Sequence, residues 1–363
     1  MKIRILMTLL AVMFCGPAQA GLLPAGHIDS DEDILFYPAF GRLDDSGTTW
    51  TIELHAAVYE PEPDSIWRRA LIRELTEALD LDRLDTTQTL TLDKRLRLFL
   101  VDLERNQKVR LRLAGREYDM APTAPDGHTR LTIQIPAAGL KTSDTQTTGG
   151  ASWVACRAVL PPPQTRVIEG RIQLIPPAGA TVVSDIDDTI KVTGILDRKQ
   201  MLANTFIMPP AAVDGMPERY RQWEASGAVF HYVSGSPWQL APPIAELIET
   251  AGYPAGSFHL RSFRLGDSTL VKFLMLDAGA HKKEQIERLL GLFPRRDFIL
   301  VGDTGEQDPE IYGDIARRHP GRIRTICLRK IQGSDLSDAR WQKAFAGVPA
   351  ETVQLFSQPS EIH

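Results

Sequence analysis

Val182-Val183-Ser184-Asp185-Ile186-Asp187-Asp188-Thr189 decides the fold of the second half of this chain. A short apolar, β-rich run passes directly into a cluster of carboxylates at 185, 187 and 188. Asp185 and Asp187 are two positions apart, so on an extended backbone their side chains can point the same way. Carboxylates this close repel one another and resist burial without a cation. The pattern suits a metal site that holds a nucleophile and an acid in one pocket. An acidic turn capping the next helix, with Asp188 or Thr189 as the cap, would explain one carboxylate but not the set.

Outward from this stretch, strands and helices alternate. Thr181–Ser184, Val229–Val233, Phe298–Val301 and Ile323–Leu328 are short apolar runs of the kind buried in parallel sheets. Helical stretches are expected at Pro217–Ala225, Trp238–Ala251, Lys282–Phe293 and Asp308–His319, with a last helix at Asp338–Ala346 and a last strand at Val353–Phe356. The fold class is α/β: a doubly wound parallel sheet, whose ligands sit at the C-terminal ends of the strands.

Two of the other strands also end in polar residues. Val233-Ser234-Gly235-Ser236-Pro237-Trp238 follows one, and Gly302-Asp303, with Asp308-Pro309 opening a helix, follows another. Ser236 before Pro237 reads as an N-cap followed by the first helical position. Between them, His281-Lys282-Lys283-Glu284-Gln285-Ile286 offers two adjacent lysines; if Lys282 begins the helix near the pocket, Ile286 four residues on should face the sheet and Lys283 the helix surface. Asp303 suits direct ligation of Mg²⁺, an ion that prefers oxygen. Asp308 would bind through water or steady the shell, and would also serve as an N-cap.

In this order, the four motifs resemble those of haloacid-dehalogenase-type (HAD) phosphatases. Ser184-Asp-Ile-Asp-Asp-Thr-Ile-Lys191 together with Ser-Gly-Ser-Pro-Trp is similar to a narrower group, the phosphatidate phosphatases of the yeast actin-patch type and their bacterial relatives. The resemblance covers Thr181 to the C-terminus. It implies an HAD-like catalytic domain over 179–363 and Mg²⁺ held by Asp185, Asp303, the Asp187 backbone carbonyl and the Asp308 shell. Asp185 would be the nucleophile that forms an aspartyl-phosphate and Asp187 the general acid and base, with Ser234 and Lys282 on the phosphoryl oxygens. Lys191 and Arg329 match basic positions of the narrower group and would meet substrate, or else are ordinary surface charge. The implied reaction is hydrolysis of phosphatidate to diacylglycerol and phosphate. The residues themselves require only a phosphomonoester, which leaves two alternatives: a periplasmic phosphatase for soluble or protein-bound phosphates, and a non-catalytic adaptor.

Upstream, residues 21–178 read as β-rich, with a sandwich as the expected architecture. Strands are expected at Tyr37–Phe40, Trp50–Tyr59, Arg95–Val101, Val109–Leu113, Leu131–Ile135 and Gly170–Ile175. One helix at Ser65–Leu79 would carry Ile66, Ala70, Leu75 and Leu79 on one side, and Lys141–Ser152 reads as a loop. Pro176-Pro177-Ala178-Gly179 marks the domain boundary. Residues 1–20 read as a signal peptide: Lys2 and Arg4, an apolar run from Ile5 to Phe14, then Ala18-Gln19-Ala20. The run is shorter than the about 20 apolar residues that span a bilayer. Export to the periplasm is the expected location. Cleavage leaves Cys156 and Cys327, which in an exported protein could form one disulfide or stay as two buried thiols; buried thiols are favoured because the two fall in different expected domains.

The chain has 363 residues, 43% of them hydrophobic and 24% charged, with a formal net charge of -5. A general attraction to nucleic acid or anionic lipid is therefore not expected. Peripheral membrane contact would have to be apolar. Phe206, Ile207 and Met208, between the first two motifs, would form a lipid-facing lip or simply core, core being favoured, with Trp238 nearby. His231 and His259 read as packed side chains rather than ligands.

Overall fold

The computed structural model describes residues 28–61, 66–79, 84–140, 145–148, 151–263 and 269–363. The expected signal peptide, with Cys15, and parts of the expected loop at 141–152 lie outside these residues.

In chain order the elements are β1 Asp33–Phe36, β2 Ala39–Leu43, β3 Thr49–Pro61, α1 Ile66–Leu79, α2 Thr86–Arg97, β4 Val101–Leu103, β5 Arg110–Leu113, β6 Arg116–Asp119, β7 His128–Pro136, β8 Thr145–Thr148, β9 Ala151–Ala158 and β10 Glu169–Ile175. The second half continues with β11 Ala178–Ser184, α3 Arg198–Phe206, α4 Met216–Ala225, β12 Val229–Pro237, α5 Ala241–Ala251, β13 Ser257–Arg261, α6 Leu270–Leu274, α7 Gly279–Leu292, β14 Arg295–Asp303, α8 Asp308–Arg318, β15 Ile323–Arg329, α9 Asp338–Phe345 and β16 Val353–Phe356.

The second half is a six-stranded parallel sheet in the order β13-β12-β11-β14-β15-β16. Its strands read as continuous apolar runs because both faces are covered. Val182, Phe230, Tyr232, Phe258, Ile299, Val301 and Cys327 face one apolar cluster, with Ile244 and Ile248 of α5 and Tyr220 of α4. The alternate residues Val183, Val229, Val233, Phe298, Leu300, Ile326 and Leu328 face a second, with α7 and α8. Strand order reverses between β11 and β14, which places a crevice at their C-terminal ends, just where Asp185 and Asp303 stand. Buried Arg296 fixes the start of β11, donating to Thr181 Oγ1 at 2.7 Å and to the carbonyls of Pro176, Ala178 and Ala180.

The first half is β-rich, but its strands form one hydrogen-bonded network of ten rather than the two separate sheets of the expected sandwich. Its main path runs β1-β3-β2-β10-β9-β5-β6, with β7 along β3. Residues of β1, β3, β5, β7, β9 and β10 meet in a single apolar cluster.

Several local expectations change. Arg95–Val101 is not a strand: α2 runs through Arg97, started by a capping box between Asp85 and Gln88. Leu92 and Leu96, four apart, are its buried residues with Arg95. On α1 the buried stripe is Leu71, Leu75 and Leu79, while Ala70 is exposed. Part of the expected loop at 141–152 is strand β8, paired to β9. Strand β13 and helices α3 and α6 were not expected. Both α1 and α2 pack on the α/β half, where Leu75, Leu96 and Phe99 share a cluster with Phe206 and Phe273. Cys156 and Cys327 are free and buried.

Candidate active site

The ends of three adjacent parallel strands and the first turns of two helices supply the site. Asp185 follows β11, and its amide donates to the Val301 carbonyl of β14 at 2.8 Å, locking the two strand ends together. Asp303 ends β14. Asp308 opens α8, and its carboxylate turns back to accept from the Asp303 amide at 3.2 Å. No side chain caps α8, so the expected N-cap role of Asp308 is absent. Gly302 is required here, because a Cβ at that position would run into the Asp308 carboxylate.

Lys282, in the first turn of α7, reaches into this cluster. Its Nζ lies 2.8 Å from Asp185 Oδ1, 2.9 Å from Asp308 Oδ1 and 2.9 Å from Glu306 Oε2. Lys283 points away and pairs with Asp314 at 2.7 Å, as the spacing to Ile286 had indicated. Thr189 Oγ1 lies 3.2 Å from Asp185 Oδ2 and 3.4 Å from Asp303 Oδ2, bridging the two carboxylates.

Asp187 belongs to a second group. Its Oδ1 accepts from Lys191 Nζ at 3.0 Å and Thr193 Oγ1 at 2.8 Å; its Oδ2 accepts from Ser234 Oγ at 3.0 Å and Ser236 Oγ at 3.1 Å. Lys191 is thus a buried site residue rather than surface charge. Ser236 is also in the site: β12 stays extended through Pro237, and no helix is capped by this serine. Asp188 adopts positive φ, and its carboxylate accepts the amides of Thr193, Gly194 and Ile195, closing the loop after the first motif. Arg329 donates to the Asp188 carbonyl at 2.6 Å, so its visible contact steadies that loop.

The electrostatics differ sharply between the groups. Burial pushes the Asp185 carboxyl well above its usual range; Lys282 opposes the shift and Asp308 and Asp303 add to it. Asp303 and Asp308 are raised by burial for the same reason. Lys282 is the mirror case, since burial would lower it but Asp185, Asp308 and Glu306 hold it well above the ordinary lysine range. Burial also works against the Asp187 anion, yet Lys191 and the hydroxyls of Thr193 and Ser234 outweigh it and bring its pKa down to about 2.

Oxygen atoms of Asp185, Asp303 and Asp308 lie within 4.8 Å of one another, all buried. This all-oxygen donor set suits a hard divalent cation. Ionised together, three buried carboxylates facing one ammonium would leave about two negative charges uncompensated, and Asp185 Oδ1 has the Lys282 ammonium beside it at 2.8 Å but accepts no hydrogen bond among the described residues. The residues therefore fit Mg²⁺. The Asp187 carboxylate stands outside this set.

A cavity of about 30 Å³ at the site is lined by Asp187, Thr193, Ser236, Arg261 and Glu306, among others. Thr193, Ser236, Arg261 and Glu306 were missed by motif reading. Beyond Arg261 lies a cleft of about 600 Å³, walled by Glu53, His55 and Arg130 of the β-rich half and by His281 and Arg288 of α7. Phe206 and Ile207 are core, as favoured, and only Met208 of that stripe is exposed. Trp238 is buried against Tyr37 and His55, with ring centroids 4.5 and 4.4 Å away. His231 and His259 are buried and linked through Ser257.

Residues 180–330 match the family model described as the catalytic domain of phosphatidate phosphatase APP1. The chain is 35% identical to the phosphatidate phosphatase APP1 of Saccharomyces cerevisiae over 159 residues, covering 43% of this chain and 26% of that protein. It is 28% identical over 180 residues to an uncharacterized protein of Schizosaccharomyces pombe, covering 48% of this chain and 29% of that one. The chain thus matches under a third of the length of these relatives. Among solved structures, a β-glucuronidase of Parabacteroides merdae covers 83% of this chain and 34% of its own at 13% identity, with a TM-score of 0.26, too low to bear on the fold. The resemblance to phosphatidate phosphatases of this type holds over residues 180–330.

Proposed function

We propose that this chain is a Mg²⁺-dependent HAD-type phosphohydrolase whose substrate is phosphatidate, which it cleaves to diacylglycerol and phosphate. The observation that carries this reading is the buried set Asp185, Asp303 and Asp308 around Lys282, built at the switch point of a parallel sheet within the stretch that matches the phosphatidate phosphatase catalytic domain. Asp185, Asp303, the Asp187 backbone carbonyl and the Asp308 shell would hold Mg²⁺, which would offset phosphate charge and orient the phosphoryl group.

Asp185 attacks phosphorus and forms an aspartyl-phosphate as the bond to the leaving alkoxide breaks. Asp187 protonates that alkoxide, then takes the proton of the water that hydrolyses the intermediate and regenerates Asp185. In the structure Asp187 is held as a carboxylate by Lys191, Thr193, Ser234 and Ser236. A phosphoryl group bound by Ser234 and Lys191 would draw those donors away and add a negative charge, and both effects raise the Asp187 pKa. Substrate binding and readiness to donate a proton are thereby linked. Lys282 balances the charge on the attacking carboxylate and the phosphoryl oxygens.

Lipid as substrate is favoured by the rim of the site. Ile195, Leu274 and Leu276 line its cavity, and Leu196, Met275 and Leu276 are among the exposed large hydrophobic residues. A bilayer would be met by this apolar rim rather than by charge. The polar cleft beyond Arg261 favours the second reading, a phosphatase for soluble phosphomonoesters. Export is proposed from residues 1–20 alone, and under it the enzyme works in the periplasm. Phosphate release from phosphatidate vesicles and from soluble phosphomonoesters, each with Mg²⁺ and with chelator, tests the reading. Mg²⁺-dependent release fastest on phosphatidate supports it; preference for soluble esters selects the second reading; no release under any condition leaves an adaptor.

A further inference from the structure

Arg261 is the one cation at the mouth of the site, among the described residues, that neither the motifs nor the mechanism above employ. It ends β13, where its register partner is Pro237, directly after the Ser234-Gly235-Ser236 segment. Its guanidinium lies over the Phe273 ring at 4.2 Å from the centroid, and Nη1 donates to the Leu276 carbonyl at 3.0 Å. These contacts fix the side chain without a direct ion pair to a described carboxylate; Asp277 and Glu306 act on its charge from a distance and leave its donors free. Nη1 is also 3.8 Å from where a Cβ on Gly235 would stand, so the charge sits against the segment whose two serines hold Asp187. The residue lines both the catalytic cavity and the larger cleft beyond it. A guanidinium held in place, with no direct carboxylate partner among the described residues, is well suited to a phosphate oxyanion, because its planar donors match the anion's geometry and its ordering cost is already met.

We propose that Arg261 is a substrate-binding residue that donates to a phosphoryl oxygen on the side of the leaving group, at the seam between the catalytic cavity and the cleft. This rests on the reading of the site as a phosphoryl-transfer centre. It adds to Ser234, Lys191 and Lys282 a fourth contact, contributed by a strand outside the motifs.

The test is binding of inorganic phosphate to the full chain in the presence of Mg²⁺, measured by calorimetry on the wild type, Arg261→Met and Arg261→Lys, with melting temperatures recorded for each. Methionine keeps an apolar stem over Phe273, so folding is retained. Arg261→Met should weaken phosphate binding about tenfold or more, and Arg261→Lys should recover part of the loss. With substrate, KM should rise for Arg261→Met more than kcat falls. Unchanged phosphate affinity in Arg261→Met, or a lowered melting temperature without loss of affinity, would show that Arg261 only clamps the Leu276 carbonyl. A wild type that binds no phosphate overturns this inference together with the phosphohydrolase reading, whereas binding that is indifferent to residue 261 overturns this inference alone.

Discussion

Replacing Lys282 with methionine removes the only ammonium among the described residues that touches Asp185 and Asp308, each under 3 Å away. The carboxylates of Asp185, Asp303 and Asp308 are then left buried with no counter-charge. Removing one partner of a buried ion pair costs about 3–5 kcal/mol, because the remaining charge keeps its desolvation penalty. At about 2–4 °C per kcal/mol for a domain of this size, Lys282→Met should melt about 6–20 °C below the wild type near neutral pH. Lys283→Met is the control. Its pair with Asp314 is about a third exposed on both sides, and such pairs are worth about 0–1 kcal/mol. Thermal unfolding followed by circular dichroism reads the difference, with phosphate release measured alongside. Added Mg²⁺ should recover part of the Lys282→Met loss, since a divalent cation is the other way to neutralise these carboxylates. A Lys282→Met protein that melts and turns over like the wild type would refute the charge-balance argument. Greater damage from Lys283→Met would refute the assignment of the lysine.

Asp185→Asn should abolish turnover while leaving the melting temperature equal or higher, since it relieves repulsion from Asp303 and Asp308; wild-type turnover would exclude Asp185 as nucleophile. Asp187→Asn should slow alkyl phosphate hydrolysis by about 10²–10⁴-fold and aryl phosphate hydrolysis much less, and equal losses on both would remove it as the acid. Leu196→Ser with Met275→Ser should lower activity on phosphatidate vesicles but spare a soluble short-chain phosphatidate; an unchanged vesicle rate places membrane contact elsewhere. Stability should fall with acid through the His55–His128 pair, whose ring nitrogens are 2.8 Å apart. Burial, aided by Arg130 and opposed by Asp126, lowers the His128 pKa from 6.5 to about 4, and His55 is lowered as well. A depressed histidine is neutral in the fold and protonates on unfolding, so its contribution is complete above pH 6.5 and is lost as pH falls toward 4. That loss is about 3 kcal/mol for His128. His128→Asn should flatten this slope in denaturant titrations between those pH values, and an unchanged slope would assign the acid sensitivity to other groups.

The α/β half was legible because its candidate site residues stand at strand ends. An apolar run buried on both faces can only stop where the sheet stops, so the polar residue that follows it is placed in the crevice by the fold itself. Asp185, Ser234 and Asp303 were found that way. The β-rich half offered no such anchor. Arg95-Leu96-Arg97-Leu98 alternates like a half-buried strand, yet Leu92 and Leu96 are buried at helical spacing and Arg95 is buried too, donating to the carbonyls of Asn204 and Thr205 on α3. Tertiary packing overrode a local pattern that pointed the other way.

Ser236 and Arg261 were missed for one connected reason. Ser-Pro read as a helix start, whereas β12 remains extended through Pro237 and its ladder with β13 slips between Val233 and Pro237. Three residues, Ser234 to Ser236, stand on β12 opposite Leu260 alone on β13. This bulge lifts both serine hydroxyls out of the ladder onto Asp187 and brings Arg261 level with Pro237. The period-two spacing of Ser234 and Ser236 was a readable hint that both face one way. Gly235 was another, since a Cβ there would stand 2.6 Å from that of Ala278, just before α7. Gly235→Ala should therefore push the Ser-Gly-Ser segment away from the start of α7, separating Ser234 and Arg261 on one side from Lys282 on the other. Catalysis should suffer more than stability, because the strain falls on the bulge and not on the apolar clusters that hold the sheet.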